Sequence, residues 1–194
     1  MNKTRNVTTI VFIGMYVAMA VALSALNKVM PIIQMPNGGS LELCFVAIFM
    51  ASYHLGWKNG AVVALLSWLV GLLFGLNDYI LSPLQVVFDY ILPFVVIGLA
   101  SMVPSLHIGS LKLSNVYTGV TVGMLLKYLS HVISGVYFYF PEGSAAGSWA
   151  AWAYSLPYNF WYCLATYIAS IILVPLLVSR LNKISSFSMT GYKE

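Results

Sequence analysis

The sequence predicts an all-α protein, an integral membrane bundle of six transmembrane helices with both termini cytoplasmic. Three observations lead there. The 194 residues are 60% hydrophobic and only 7% charged, which leaves too little polar surface to coat a soluble globule. Apolar runs long enough for a bilayer, roughly 20 residues for about 30 Å of hydrocarbon, recur along the chain. The cations flank those runs asymmetrically. With a cytoplasmic N-terminus, Lys3, Arg5, Lys58, Lys112, Arg180, Lys183 and Lys193 fall on the inner side and Lys28, Asp78 and Glu142 on the outer one. That bias follows the positive-inside rule. A formal charge of +4 would suit nucleic acid only if the cations formed a patch, and they are dispersed.

The first span, 8–27, carries Gly14, Ala18 and Ala22 at four-residue spacing, a small-residue ridge that lets another helix approach closely. Its basic flank and small residues near Ala25 resemble a cleavable leader, but the run is long for that. Spans 41–56 and 60–76 are short and meet between Gly56 and Gly60. Span 83–103 contains Asp89, with Pro93 four residues on and unable to donate to the Asp89 carbonyl, so a local kink is predicted beside the carboxylate. Span 115–138 contains Lys127 and His131. The last span is predicted over 157–179, with Pro157 as its first residue. Trp149, Trp152 and Tyr154 then precede it in an interfacial segment, as an aromatic belt or as ligand contacts.

Between the spans lie three predicted outer loops: Pro31 to Ser40, with Pro36 and Asn37-Gly38-Gly39; Asn77 to Ser82; and Pro141 to Ser148. All three are polar enough to fold over a pocket. Residues 1–194 read as one domain without repeats. Cys44 and Cys163 fall inside spans and read as small buried hydrophobes rather than a disulfide or metal ligands. His54 and His107, near inner loops, read as structural or solvated.

Ionisable groups at membrane depth mark substrate or ion sites by default. Gln85 and Asp89 share one helical face, as do Lys127, His131 and Gly135 on another span, so two polar stripes point inward. One reading is a structural Asp89–Lys127 ion pair that holds the bundle together. The other is a receptor for an organic cation, because Tyr79, Tyr90, Tyr137, Tyr139, Trp152, Tyr154 and Tyr158 crowd the same outer side and aromatic faces attract cations. Ser155 and Asn159, on one face of the last span, would orient such a ligand. No catalytic signature or phosphate-binding loop is present, so the chain reads as a non-enzyme and uphill movement of a solute needs an ion gradient or a separate motor. Neither inverted repeats nor paired broken helices are visible, which speaks against a stand-alone secondary transporter.

Three stretches together resemble the thiamine-specific substrate-binding (S) component of energy-coupling factor (ECF) transporters. They are Tyr79-Ile-Leu-Ser-Pro-Leu-Gln85-Val-Val-Phe-Asp89-Tyr90, Lys127-Tyr-Leu-Ser-His131-Val-Ile-Ser-Gly135 and Tyr154-Ser-Leu-Pro-Tyr-Asn159. The resemblance implies a pocket open to the outside that holds thiamine between the fourth, fifth and sixth helices. Asp89 would meet the thiazolium, and Tyr79 and Tyr90 would flank it. Lys127 and His131 would contact the polar end or organise the carboxylate, while Tyr154 and Asn159 would read the aminopyrimidine. Gly14, Ala18 and Ala22 would dock the transmembrane coupling protein, whose two ATPase subunits alone use ATP; no cofactor is implied for this chain. The setting implied is a prokaryotic cytoplasmic membrane. Two positions depart from the pattern: Asp89 stands where the acid is often Glu, and Tyr139 where a stacking Trp is expected. The 28–40 loop also lacks an aromatic residue. An S component for a pyrimidine or thiazole precursor, and a membrane scaffold held by the Asp89–Lys127 pair, are the alternatives.

Overall fold

Six helices alternate in direction: α1 (Lys3–Val29), α2 (Cys44–Leu55), α3 (Trp57–Leu73), α4 (Pro83–Gly98), α5 (Asn115–Phe138) and α6 (Trp149–Leu181). The computed structural model describes residues 3–36, 38–77, 79–184 and 187–193. Asn37, Asp78 and the side chains of Lys3 and Arg5, to which the sequence gives loop and topology roles, lie outside the described residues. The stretches Val7–Val29 of α1, α5 and α6 are each long and apolar enough to cross a membrane, and α2, α3 and α4 are shorter apolar helices. Their outward faces expose Ile10, Leu69, Leu125 and Leu176, as hydrocarbon contact requires.

α2 is apolar all round, and it is the central helix: every residue from Cys44 to His54 is buried. A single residue, Gly56, joins it to α3. Its φ of +81° and ψ of 159° lie in a region that glycine alone enters readily, and this breaks the helix; the Asn59 side chain donates to the Leu55 carbonyl at 2.9 Å. α3 and α4 cross on Gly60 and Gly98. A Cβ on Gly98 would stand 2.8 Å from the Gly60 carbonyl carbon and 2.9 Å from the Ala61 Cα, so backbone lies directly on backbone.

The kink predicted in α4 is a π-helical turn over Val87–Ile91, with Asp89 inside it. Leu92 N–H bonds five residues back to the Val87 carbonyl. In that register Pro93 would have to serve the Phe88 carbonyl and has no N–H to give. The Ser130 hydroxyl of α5 donates to that carbonyl instead, at 2.5 Å. The extra residue thus persists because a neighbouring helix satisfies the group it frees.

One expectation is corrected. The last helix begins at Trp149, where the Ser148 hydroxyl accepts from Ala151 N–H, and it continues through both Pro157 and Pro175. There is accordingly no separate interfacial segment. Packing against α5 over its length offsets the backbone bonds that the prolines omit. Two short strands, β1 (Leu106–Ile108) and β2 (Leu111–Leu113), also pair between α4 and α5.

At the end of the bundle that carries this ribbon, residues 187–193 tuck back into the structure. Thr190 and Gly191 N–H groups donate to the carbonyls of His54 and Tyr53 at 3.1 and 2.9 Å. The buried Asn115 amide donates to the Gly191 carbonyl and accepts from Lys193 N–H, both at 2.7 Å. His54 is structural, as expected: its Nδ1 lies 3.1 Å from the Tyr16 hydroxyl, and Phe12 and Phe187 pack on its ring. Asn115→Ala strips both tail bonds inside the protein, a loss of about 2 kcal/mol. The detergent-solubilised protein is then expected to unfold about 6 °C lower. An unchanged transition would mean that the tail adds nothing to the bundle.

Candidate functional site

A cavity of about 380 Å³ opens at the other end, among α1, α3, α4, α5 and α6 and the start of α2. It falls in the usual size range of small-molecule sites, roughly 300–1,000 Å³. The first loop covers it with Pro31, Gln34, Gly38, Gly39 and Ser40, and the second contributes Asn77 and Tyr79. Of the third loop, residues 141–148 stay off the lining, and the preceding Tyr139 and Phe140 reach it. The cover is tied down: the Tyr158 hydroxyl donates to the Gly38 carbonyl at 2.9 Å, and Gly39 lies so close to the Tyr162 ring that any Cβ would collide with it. Tyr79 holds a left-handed φ of +61°, unusual for a bulky residue, and the Tyr139 hydroxyl donates to its carbonyl at 2.9 Å.

The π turn aims Asp89 into the cavity wall. Its Oδ1 lies 3.4 Å from His131 Nδ1, and its Oδ2 accepts from the Gln85 amide at 2.6 Å. Both Asp89 and His131 side chains are 14% exposed, so the pair is shielded yet reachable from the cavity. Tyr90, Tyr139, Tyr154, Tyr158 and Tyr162 line the space around them. Tyr154 and Tyr158 stack with centroids 5.4 Å apart, and the Tyr162 ring stands edge-on to His131 at 5.9 Å. Asn159 is fixed by donating to the Ser155 carbonyl and hydroxyl at 2.9 and 3.0 Å and accepting from the Tyr162 hydroxyl. α5 and α6 meet closely here because Gly135 has no Cβ to strike the Ser155 hydroxyl.

The cavity therefore brings together Tyr79, Asp89, Tyr90, His131, Tyr139, Tyr154 and Asn159 from the sequence-predicted set. Three others stand outside the lining. Gln85 is fully buried behind Asp89 and orients it. Trp152 packs on the cluster of Val132, Val136 and Ala151. Lys127, fully buried, does not pair with Asp89: its Nζ lies 2.8 Å from Glu42 Oε2. The Asp89–Lys127 bridge considered from sequence is replaced by two pairs, Asp89–His131 and Glu42–Lys127. Glu42, which lines the cavity just ahead of α2, is the residue that sequence reasoning missed. The signal for it was indirect: a lysine inside a span needs a carboxylate within reach, and span 41–56 offers one.

Gly14, Ala18 and Ala22 are exposed on α1, along a shallow apolar groove completed by Val17, Val21, Ala25, Val70, Phe74 and Leu76.

Residues 10–186 match the model of a protein family described as "Thiamine transporter protein (Thia_YuaJ)". The chain is 33% identical over 187 residues to the protein named thiamine transporter ThiT of Bacillus subtilis (strain 168), with 91% of this chain and 93% of that one covered. In fold it is similar to the solved structure of ThiT from Listeria monocytogenes. The TM-score is 0.67 at 20% identity, over 92% of this chain and 97% of that one.

Proposed function

From the premise that this chain belongs to the Thia_YuaJ family of thiamine transporter proteins, a family of multi-pass membrane transporters and not enzymes, we propose that it captures extracellular thiamine in the cavity beside Asp89. In the same proposal it serves as the S component of an ECF-type transporter. The observation that carries this reading is the shielded Asp89 carboxylate in a wall of tyrosine rings. Moving a thiazolium ring out of water is unfavourable unless an opposite charge and π-faces replace its hydration, and the cavity supplies both. Tyr139 and Tyr90 flank the cation, while the fixed Asn159 amide and Tyr154 meet the aminopyrimidine. The tethered first loop closes the outer side, with both chain termini on the cytoplasmic side.

The chain has no phosphate-binding loop, so energy comes from two ATPase subunits that act through a transmembrane coupling protein. That protein docks on the Gly14, Ala18 and Ala22 face of α1, where small side chains permit close helix approach. Thiamine is expected to quench the emission of the purified protein, which carries five Trp, with half-saturation at micromolar concentration or below. A protein silent to thiamine in both fluorescence and thermal stability refutes the proposal; a neutral aminopyrimidine fragment binding more tightly than thiamine redirects it to a precursor.

A further inference from the structure

The ribbon between α4 and α5 carries an apolar face that the described residues leave largely open. Its register pairs Leu106 with Leu113, His107 with Lys112 and Ile108 with Leu111. Side chains alternate along a strand, so the four aliphatic residues share one face of the ribbon, and His107 and Lys112 share the other. Leu106, Ile108 and Leu111 are 46%, 61% and 55% exposed. The turn stands clear as well, since a Cβ on Gly109 would meet nothing within 4 Å. A contiguous apolar face of this kind, rimmed by polar residues, marks an interaction surface.

Its surroundings point to lipid. Trp57 and Tyr117, in the first turns of α3 and α5, are both partly exposed, as is Met102 just past the end of α4. Aromatic residues at helix ends sit at headgroup level, and Lys58 Nζ lies 5.3 Å from the Trp57 ring centroid. The ribbon therefore leaves the bundle at the membrane surface. Lys58, Lys112, Arg180, Lys183 and Lys193 are exposed at the same end, whereas the sequence supplies one acid there, Glu194, which lies outside the described residues. Such a surplus of cations attracts anionic phospholipid. A second protein fits less well, because two three-residue strands cannot by themselves supply the roughly 800 Å² per partner that a stable interface buries.

We propose that the β1–β2 ribbon is an interfacial anchor: its aliphatic face lies in the bilayer surface on the side of the chain termini, and Lys112 with the neighbouring cations meets anionic phospholipid headgroups. The inference goes beyond the thiamine reading and is independent of what the cavity holds.

The experiment uses the full-length protein, one copy per nanodisc, in phosphatidylcholine alone or mixed with phosphatidylglycerol. A thiol-reactive fluorophore is placed at Ile108→Cys or, on the opposite face of the ribbon, at His107→Cys. Cys44 and Cys163 are each only 4% exposed, and wild type taken through the same labelling is the blank. The quenchers are aqueous iodide and a phospholipid with a spin label high on its acyl chain. In the mixed bilayer the Ile108 label is expected to be quenched about fivefold less by iodide than the His107 label, and about fivefold more by the spin-labelled lipid. That contrast should shrink about twofold in phosphatidylcholine alone, and equally for Lys112→Glu in the mixed bilayer. Equal quenching at the two positions overturns the insertion, and so does an Ile108 label that iodide reaches and lipid does not. A contrast unchanged by lipid composition and by Lys112→Glu overturns the part given to the cations. Thermal unfolding checks each labelled chain against wild type; if Ile108→Cys does not fold, Leu111→Cys, its cross-strand partner on the same face, takes its place.

Discussion

Asp89→Asn is expected to weaken thiamine binding about 100-fold or more while the protein stays folded. The side chain keeps its shape, and an amide oxygen still accepts from Gln85, which now reaches it at 2.6 Å. What disappears is the negative charge. Truncating one partner of a buried charge pair costs about 2–5 kcal/mol, and about 3 kcal/mol corresponds to a little over 100-fold. The loss should fall on the cation: the neutral aminopyrimidine fragment, which the proposal assigns to Asn159 and Tyr154, should bind nearly as before. Calorimetry on wild type and variant reads both. Equal thiamine affinity within threefold would remove Asp89 from the binding machinery.

Gly98→Ala is expected to be strongly destabilising for a single added methyl. The added carbon meets the Gly60 carbonyl carbon at 2.8 Å and the Ala61 Cα at 2.9 Å, and neither can rotate aside as a side chain would. Overpacking of this kind costs about 3 kcal/mol, so the unfolding transition should fall about 10 °C, and Gly98→Val should block assembly. Gly109→Ala is the matching control. Its φ is +58° and its Cβ would point into open space, so it pays only the conformational cost of about 1 kcal/mol. If both variants melt together, the glycine contact between α3 and α4 is looser than described.

Residue type alone made the spans legible, because hydrocarbon thickness fixes the length of an apolar helix. The distortion beside Asp89 was legible as well, since Pro93 withholds a donor wherever it sits. Helical spacing placed Asp89 with Gln85 and His131 with Lys127 on inward faces, and Asn159 with Ser155 on one face of the last span, whatever the details of packing; the role of Tyr154 entered only through the resemblance. The partner of Lys127 did not follow, because spacing places residues on faces and says nothing of which faces meet. Asp89 lies in mid-span, where a carboxylate stands out, while Glu42 lies at a span boundary, where a charge calls for no partner. Trp149 to Leu156 was misread for a related reason: Pro157 is a good first residue of a helix, and only the Ser148 cap together with α5 shows that the helix starts a full two turns earlier. The docking of residues 187–193 was invisible to periodicity, since a short polar tail anchored through backbone groups leaves no hydrophobic pattern.

The wide turn in α4 has a consequence for how that segment tolerates change in length. One surplus residue between Val87 and Ile91 offsets everything downstream by about 100° relative to a regular helix. That offset lets the acid look into the cavity while Phe94, Ile97 and Gly98 look into the protein. Deleting any one residue there would heal the helix and set its two halves at odds: restoring the acid's aim would swing the glycine off its neighbour, and reseating the glycine would turn the acid toward lipid. Along this stretch, residue number is a stricter requirement than residue identity.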